Sequence, residues 1–232
     1  GRITRGAAQA FLMRVNLLTG DYAGAESMAN TIMTEGKYAM PELSYEESFF
    51  KANQYNSEVI FTTEHVKPGY SMWFGAYMSN GYGGWSSIVP TKDLVDAYET
   101  KNGLTTDEDP DFNPENPYVN RDPRLRATIL YPGQVYGIYT NGFRSLVKGD
   151  VDHGLTANNA THTGFNFKKF YGNLAEYDDY WDAERNFPVL RYAEVLLSYA
   201  EAKIEQNEID ESVYDAINQV RTRAGMPNVD EA

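Results

Sequence analysis

The chain has no cysteine, which excludes disulfides, thiolate metal centres and cysteine nucleophiles within its 232 residues. Histidine is scarce. His65, His153 and His162 lie in separate loop-like stretches, without the His-x-x-x-His or His-Glu-x-x-His spacing that sets two imidazoles on one helix face. A Gly-x-Ser-x-Gly elbow is missing, as is a glycine-rich phosphate loop leading into Lys-Ser/Thr. Catalysis therefore finds little support, and nothing singles out two of the many carboxylates as a glycosidase pair. Positive charge is also short: 20 Lys and Arg face 33 Asp and Glu, for a formal net charge of −13. That balance disfavours phosphate-driven nucleic-acid binding and adhesion to an anionic membrane surface. No apolar run approaches the length of a transmembrane helix.

Tyrosine is what the chain has in excess. It carries 18 Tyr, 11 Phe and 3 Trp, more aromatic surface than a core of this size requires. Tyr and Trp combine a flat apolar face with a polar tip, which suits a wet binding surface. Overall, 42% hydrophobic and 23% charged residues are ordinary for a globular protein that buries a real core.

Helical periodicity marks both ends of the chain. From Ala7 to Leu18 the apolar positions Ala8, Phe11, Leu12, Val15 and Leu18 form a stripe facing a partner, and Thr19-Gly20-Asp21 ends it. The next helix carries Ala25, Met28, Ala29, Ile32 and Met33 on one face and closes at Glu35-Gly36-Lys37. Small residues Ala7, Ala8, Ala10, Ala25 and Ala29 let the two helices approach closely. Near the C-terminus, Tyr192, Leu196, Tyr199, Ala200 and Ile204 mark one stripe, and Val213, Ala216, Ile217, Val220 and Ala224 a second. Gly225 and Pro227 then terminate the helix. Each pair reads as a degenerate tetratricopeptide-like unit. Between them, Val59, Ile60 and Phe61 suggest a buried strand or a turn, and Asp93–Tyr98 a short helix with Thr91 as N-cap. Ala127–Tyr131 and Gln134–Thr140 flank Pro132-Gly133 as a hairpin candidate, and Phe165–Tyr171 is a further strand candidate.

Three stretches read as loops. Residues 68–90 hold five glycines and eight aromatics or methionines, residues 105–123 hold four prolines, and residues 148–164 are rich in Gly, Asn, Thr and His. Long loops of this kind are uncommon unless they serve a purpose. The first gives the strongest candidate site. Its glycines let the backbone bend so that large rings point outward, and an exposed ring offers a sugar a platform for its C–H face while nearby polar groups bond its hydroxyls. Trp73 and Trp85 lead, followed by Tyr77, Tyr82, Tyr70 and Asn80. A second candidate is the turn Tyr177–Asp182 with Tyr180 and Trp181. For any single ring, burial against the helical layer is the competing reading. Asp107-Glu108-Asp109-Pro110-Asp111 could supply oxygens to Ca²⁺, but it lacks EF-hand spacing and reads better as a solvated acidic loop. Asp150, Asp152 and His153 read as surface residues rather than metal ligands. Arg121-Asp122-Pro123-Arg124 reads as a structural anchor, because Arg can bond several carbonyls. Glu194 and Glu201, beside Arg191 and Lys203, read as ordinary ion pairing along one helix.

Five blocks occur in order along the chain. They are Ala7–Tyr22, Ser57-Glu58-Val59-Ile60-Phe61, Val89–Glu99 with Asn102-Gly103, Asn120-Arg121-Asp122-Pro123-Arg124-Leu125-Arg126-Ala127-Thr128-Ile129, and Arg191–Leu197 running on to Ala224-Gly225-Met226-Pro227. This ordered set resembles the SusD/RagB family of surface nutrient-binding lipoproteins of the Bacteroidetes. The resemblance implies a mainly α fold, tetratricopeptide-like helix pairs at 1–40 and 187–232, and a loop-rich, aromatic insertion at 41–186 that bears the ligand. It implies a non-enzymatic, cell-surface glycan-binding protein that needs no cofactor. Such a protein passes oligosaccharide to a SusC-like TonB-dependent outer-membrane β-barrel. Family members are longer at both ends and are anchored by an N-terminal lipid on a Cys not found here, so the chain is expected to be a fragment. The ligand-contacting aromatics vary between members, so no sugar-binding residue carries over. A peptide- or protein-binding helical scaffold is the alternative function, and an α-rich glycoside hydrolase a third.

Overall fold

A computed structural model describes residues 3–230. Contacts partition the chain into two units: Gly1–Ser44, Asn53–Glu64 and Asn186–Ala232 form the first, and Tyr45–Ala52 with His65–Arg185 the second.

The first unit is built on α1 (Arg5–Thr19), α2 (Tyr22–Thr34), α5 (Tyr192–Glu205) and α6 (Glu211–Ala224). Thr4 caps α1 by accepting the Ala7 N–H, and Gly20 closes it at φ +75°, a conformation that costs a β-carbon dearly. Asp21 then caps α2 through the Gly24 N–H at 3.0 Å, so a connection of two residues folds the helices antiparallel. Ala7, Ala10, Ala25 and Ala29 are wholly buried, as small residues at a close helix crossing should be. The stripe expected for α1 is not the one it buries. Its inward face is Gly6, Ala7, Ala10 and Met13, whereas Leu12, Val15 and Leu18 are exposed. Ala8 is exposed as well. Close approach to the neighbouring helix selects for small side chains here; of the expected stripe Phe11 alone reaches the core, half-buried beside Met13.

The two helix pairs stack directly: α5 packs against α2 on one side and α6 on the other. Flanked twice, α5 buries far more than a stripe, from Tyr192 and Ala193 through Val195, Leu196, Tyr199 and Ala202. The α6 face is as expected, with Val213, Ala216, Val220 and Ala224 buried and Gly225 at φ +74° ending the helix. Ile32, Ile60, Leu190 and Leu196 join these side chains in one core, where each large aliphatic residue contributes about 1.5–3 kcal/mol by leaving water.

Strand β1 (Val59–Thr63) pairs antiparallel with β4 (Phe187–Arg191), Val59 opposite Arg191 and Thr63 opposite Phe187, with irregular register between. This ribbon delivers Glu58, only 1% exposed, to Arg191 Nη1 at 2.5 Å and Arg223 Nη1 at 3.0 Å. Arg14 of α1 reaches Glu194 and donates to the Val189 carbonyl at 2.6 Å. Lys203 pairs with Asp210. The charges at the start of α5 therefore bind partners distant in sequence, not one another along the helix.

The second unit contains α3 (Lys92–Asp96), α4 (Pro123–Thr128), β2 (Ile129–Leu130) and β3 (Asn166–Phe167). Thr91 caps α3 through the Leu94 N–H at 3.3 Å. Asp122 caps α4 through the Arg124 N–H at 2.8 Å, and its Oδ2 is 2.5 Å from the Arg124 guanidinium. Arg121 is buried and donates to the carbonyls of Val95, Tyr98, Glu99 and Pro117 at 2.6–3.3 Å, the anchor that its sequence block implied. The hairpin around Pro132-Gly133 does not form: β2 pairs with β3, Ile129 opposite Phe167. The rest of this unit is irregular chain around clusters of Phe74, Met78, Tyr171 and Tyr177, of Leu125, Ile129 and Phe165, and of Leu130, Tyr139 and Phe143. Among the described residues no helix is long and apolar enough to cross a membrane.

Candidate functional site

Both aromatic stretches singled out in the sequence fall in the second unit, and backbone rungs bring them together. Met72 and Ala183 exchange N–H···O bonds at 2.8 and 3.1 Å, and Gly75 donates to the Tyr180 carbonyl at 3.0 Å. On the other side of the same segment, Trp85 donates to Gly75 and Ser87 to Ala76, each at 2.8 Å. Three pieces of chain, 72–76, 85–87 and 180–183, thus run side by side although they are too irregular to count as a sheet.

The rungs set Trp85 against Trp181, ring centroids 4.6 Å apart and planes tilted by 59°. Gly75 makes this packing possible. A β-carbon there would stand 2.2 Å from Cε2 of Trp181. Trp85 is 51% exposed and Trp73, two residues before Gly75, is 60% exposed. Tyr70 is more open still, at the end of a turn closed by mutual bonds with Val66. Trp181 itself is half-buried beneath Trp85.

The remaining sequence candidates serve the platform from within. Tyr77 packs edge-on to Phe74 and its hydroxyl points at Met72 sulfur, 3.5 Å away. The Tyr82 hydroxyl accepts the Ile138 N–H at 2.9 Å, and its ring meets Tyr136, Tyr139 and Tyr180 edge-on. Burial pushes both phenols above the ordinary tyrosine range. Asn80 donates its amide to the Val151 carbonyl at 2.5 Å, tying the aromatic loop to the loop that contains Asp152.

Asp152 corrects the sequence reading, because it is wholly buried rather than at the surface. One carboxyl oxygen accepts the Gly81 N–H at 3.0 Å, and Tyr139, whose hydroxyl is 2.6 Å from that of Ser79, faces the same group. Desolvation holds the carboxyl above its usual pKa, against the opposing pull of Tyr139 and Gly81. Asn166 is the second fastener that the sequence did not single out. Its amide donates to the Tyr77 carbonyl at 3.2 Å and to the Ser86 hydroxyl at 3.1 Å. Gly81 is the sequence signal for Asp152: a β-carbon there would stand 2.9 Å from its Oδ2.

In the acidic loop Asp109 is buried rather than solvated. Asp109 accepts from Asn102 Nδ2 at 3.1 Å and from the Asp111 N–H at 2.9 Å, and with the Thr100 hydroxyl these bonds hold its pKa down. Its oxygens close the loop on itself. Among the described residues no group of three or more His, Cys, Asp or Glu is placed to hold a metal ion. His153 Nδ1 lies 2.8 Å from the Thr156 hydroxyl.

Residues 45–232 match the sequence profile of the SusD family. The chain belongs to the SusD family. Solved SusD structures agree with the fold described above. A SusD-like carbohydrate binding protein from Bacteroides fragilis is 33% identical, with a TM-score of 0.86 over 100% of this chain and 46% of its own. A second SusD-like protein from Bacteroides fragilis is 27% identical, with a TM-score of 0.80 over 100% of this chain and 49% of its own. A structure solved with a xylogluco-oligosaccharide is 22% identical with a TM-score of 0.67, covering 99% of this chain and 46% of its own, and supports the fold alone. The chain thus spans about half the length of the SusD structures it matches. Among curated proteins none matches it.

Proposed function

We propose that this SusD-family chain captures glycan at the bacterial cell surface, without catalysis, for import through a TonB-dependent outer-membrane transporter. In this reading the helix pairs at 1–40 and 187–232 are scaffold and the insertion at 41–186 carries the ligand. The observation that carries the reading is the platform of Trp85, Trp73 and Trp181. Large apolar rings are left open to solvent on a backbone held by rungs and by the buried side chains of Asp152 and Asn166. Rings fixed in this way lose little freedom when a sugar stacks on them, so the contact is not offset by ordering cost. Hydroxyls find partners on the rim, including Asp179 and Ser87. The carbohydrate-binding relative from Bacteroides fragilis, 33% identical, supports the ligand class.

The test is retardation of the chain by neutral polysaccharides in affinity electrophoresis, with Trp85→Ala and Trp73→Ala beside it and product analysis of each mixture. Retardation by a glycan, reduced by tenfold or more in Trp85→Ala and without released sugar, is the expected outcome. Released sugar would make the protein a hydrolase. Transport is tested by growth on the retarding glycan when the gene and a neighbouring transporter gene are deleted in turn.

One observation favours the second reading, a peptide-binding scaffold. In the first unit an open groove of about 720 Å³ runs between Met40, Pro41 and Leu43 and the α6 residues Asp215, Asn218 and Thr222. Binding of extended peptides that is abolished by Asn218→Ala and indifferent to Trp85→Ala would favour it.

A further inference from the structure

The two sides of the platform differ in charge. From Gly69 to Val89 no side chain is charged. The turn that carries Trp181 is acidic throughout, with Glu176, Asp178, Asp179, Asp182 and Glu184, and contains no Lys or Arg between Tyr171 and Glu184. The cations nearby are already committed. The Lys67 ammonium pairs with Asp178 and feels Asp182 and Glu184 as well, which together raise its pKa. Lys51 lies 3.4 Å from Glu184. Arg185 is buried and donates to the Phe49 carbonyl at 3.1–3.2 Å. Among the carboxylates, Glu176 is occupied by the N–H groups of Lys51 and Ala52, at 2.8 and 3.0 Å. Asp179 and Asp182 remain, one on each side of Trp181 in the chain. Asp179 accepts the backbone N–H of Trp181 at 2.8 Å, which fixes its charge at the main chain that carries the ring.

We propose that the platform selects uncharged glycans, and that Asp179 and Asp182 reject those bearing carboxylates or sulfates. The proposal rests on the glycan reading and adds a specificity to it. A uronate stacked on Trp85 would sit within the roughly 8–10 Å over which charges act at ordinary ionic strength, facing two carboxylates with no unpaired cation supplied by the turn. Discrimination of this kind comes from a repulsive element, not from a better fit to the accepted ligand.

The experiment uses xyloglucan and galactomannan, each native and after oxidation of its primary hydroxyls to carboxylates. Binding to the chain and to Asp179→Asn/Asp182→Asn is measured at about 0.05 M and about 0.5 M salt, where screening lengths are about 14 and 4 Å. Asparagine keeps the side-chain oxygen that accepts the Trp181 N–H, so the turn is retained. The oxidised glycan should bind the native chain about tenfold more weakly at low salt, and the gap should close to within about threefold in the variant or at high salt. Equal binding of both forms by the native chain overturns charge selection and leaves glycan capture standing. A gap unmoved by the variant overturns the proposal: where salt also leaves it, it comes from lost hydroxyl contacts, and where salt closes it, from the overall charge of −13. If a folded chain is retarded by neither neutral glycan, the capture reading for these ligands falls and charge selection falls with it.

Discussion

Replacing Glu58 with alanine should unfold the helical unit more easily than any change at the surface. The carboxylate is 1% exposed and is shared by two guanidiniums, Arg223 with a side chain 6% exposed and Arg191 at 24%. Removing it takes a buried anionic partner from both guanidiniums at once. Breaking one side of such a buried pair costs about 3–5 kcal/mol, mostly the penalty of the charge left behind. For a domain of this size that corresponds to a fall in Tm of about 6–20 °C. Arg5→Ala is the control. It breaks the Arg5–Glu35 pair, whose arginine side chain is 75% exposed, and should leave the midpoint where it was. The assay is urea unfolding followed by two probes. Far-UV circular dichroism reports mainly the four long helices, all in the first unit, while Trp73, Trp85 and Trp181 are all in the second. A loss in the dichroism transition of less than about 1 kcal/mol at unchanged m-value would refute the reasoning, because the triad would then contribute no more than an exposed pair. Coincident probes would mean that the two units unfold together, and separated ones that they do not.

Gly75→Ala should disrupt the tryptophan pair without touching the helices. The new methyl needs the space of the Trp181 ring, so near-UV circular dichroism should lose the Trp85–Trp181 signature and glycan retardation should drop while the helical transition stays in place. Asp152→Asn should stabilise the second unit at neutral pH, read by tryptophan fluorescence. The folded pKa of Asp152 is raised, so its ionisation costs stability in full above that pKa; the cost shrinks as pH falls through it and is gone below the ordinary aspartate value of the unfolded chain. The advantage of the variant should therefore shrink toward acid pH, and an advantage that grows instead would be the wrong sign. Arg121→Lys keeps the charge but loses the fork that serves four carbonyls. Since each buried acceptor left unsatisfied costs about 1–3 kcal/mol, a loss of at least about 3 kcal/mol is expected in chemical denaturation.

The helices were legible in the sequence because their periodicity is local. The stripes on α2 and α6 were read correctly, and Gly20 and Gly225 terminate their helices where the punctuation said they would. The α1 face was misread for a physical reason: counting large apolar side chains favours Leu12, Val15 and Leu18, but a close crossing is made by Ala7, Ala10 and Gly6. What depends on distant partners was not legible. Nothing near Ile129 announces Phe167 as its strand partner, and the competing Pro132-Gly133 signal was stronger locally. Asp152 looked like a surface residue because the N–H it accepts belongs to Gly81, far away in the chain. For the platform, composition gave the rings, but their exposure and the placing of Trp85 against Trp181 follow from backbone rungs that no pattern encodes.

The blocks that carry the SusD resemblance explain why the family can be assigned while its ligand cannot be read from them. Glu58 comes from one block, Arg191 and Arg223 from the two ends of another, and they converge on one buried triad. Arg14 and Glu194 come from two and bind each other. Arg121 serves carbonyls and Asp122 caps a helix. These charges are consumed by the scaffold, and burial makes Glu58, Arg223, Arg121 and Asp122 expensive to change. The platform residues obey the opposite constraint. Trp73 and Trp85 are more than half open to solvent, and the ring packing of Trp85 is confined to Trp181, so either can be exchanged for another side chain at modest cost to stability. A fold built this way can keep its triad and anchor while the rings and carboxylates between the blocks drift toward whatever glycan is on offer. The specificity of this chain should therefore be sought at Trp73, Trp85, Asp179 and Asp182. Exchanging those four for the residues of a SusD protein with a different ligand should move binding while leaving the unfolding midpoint within about 1 kcal/mol of its starting value.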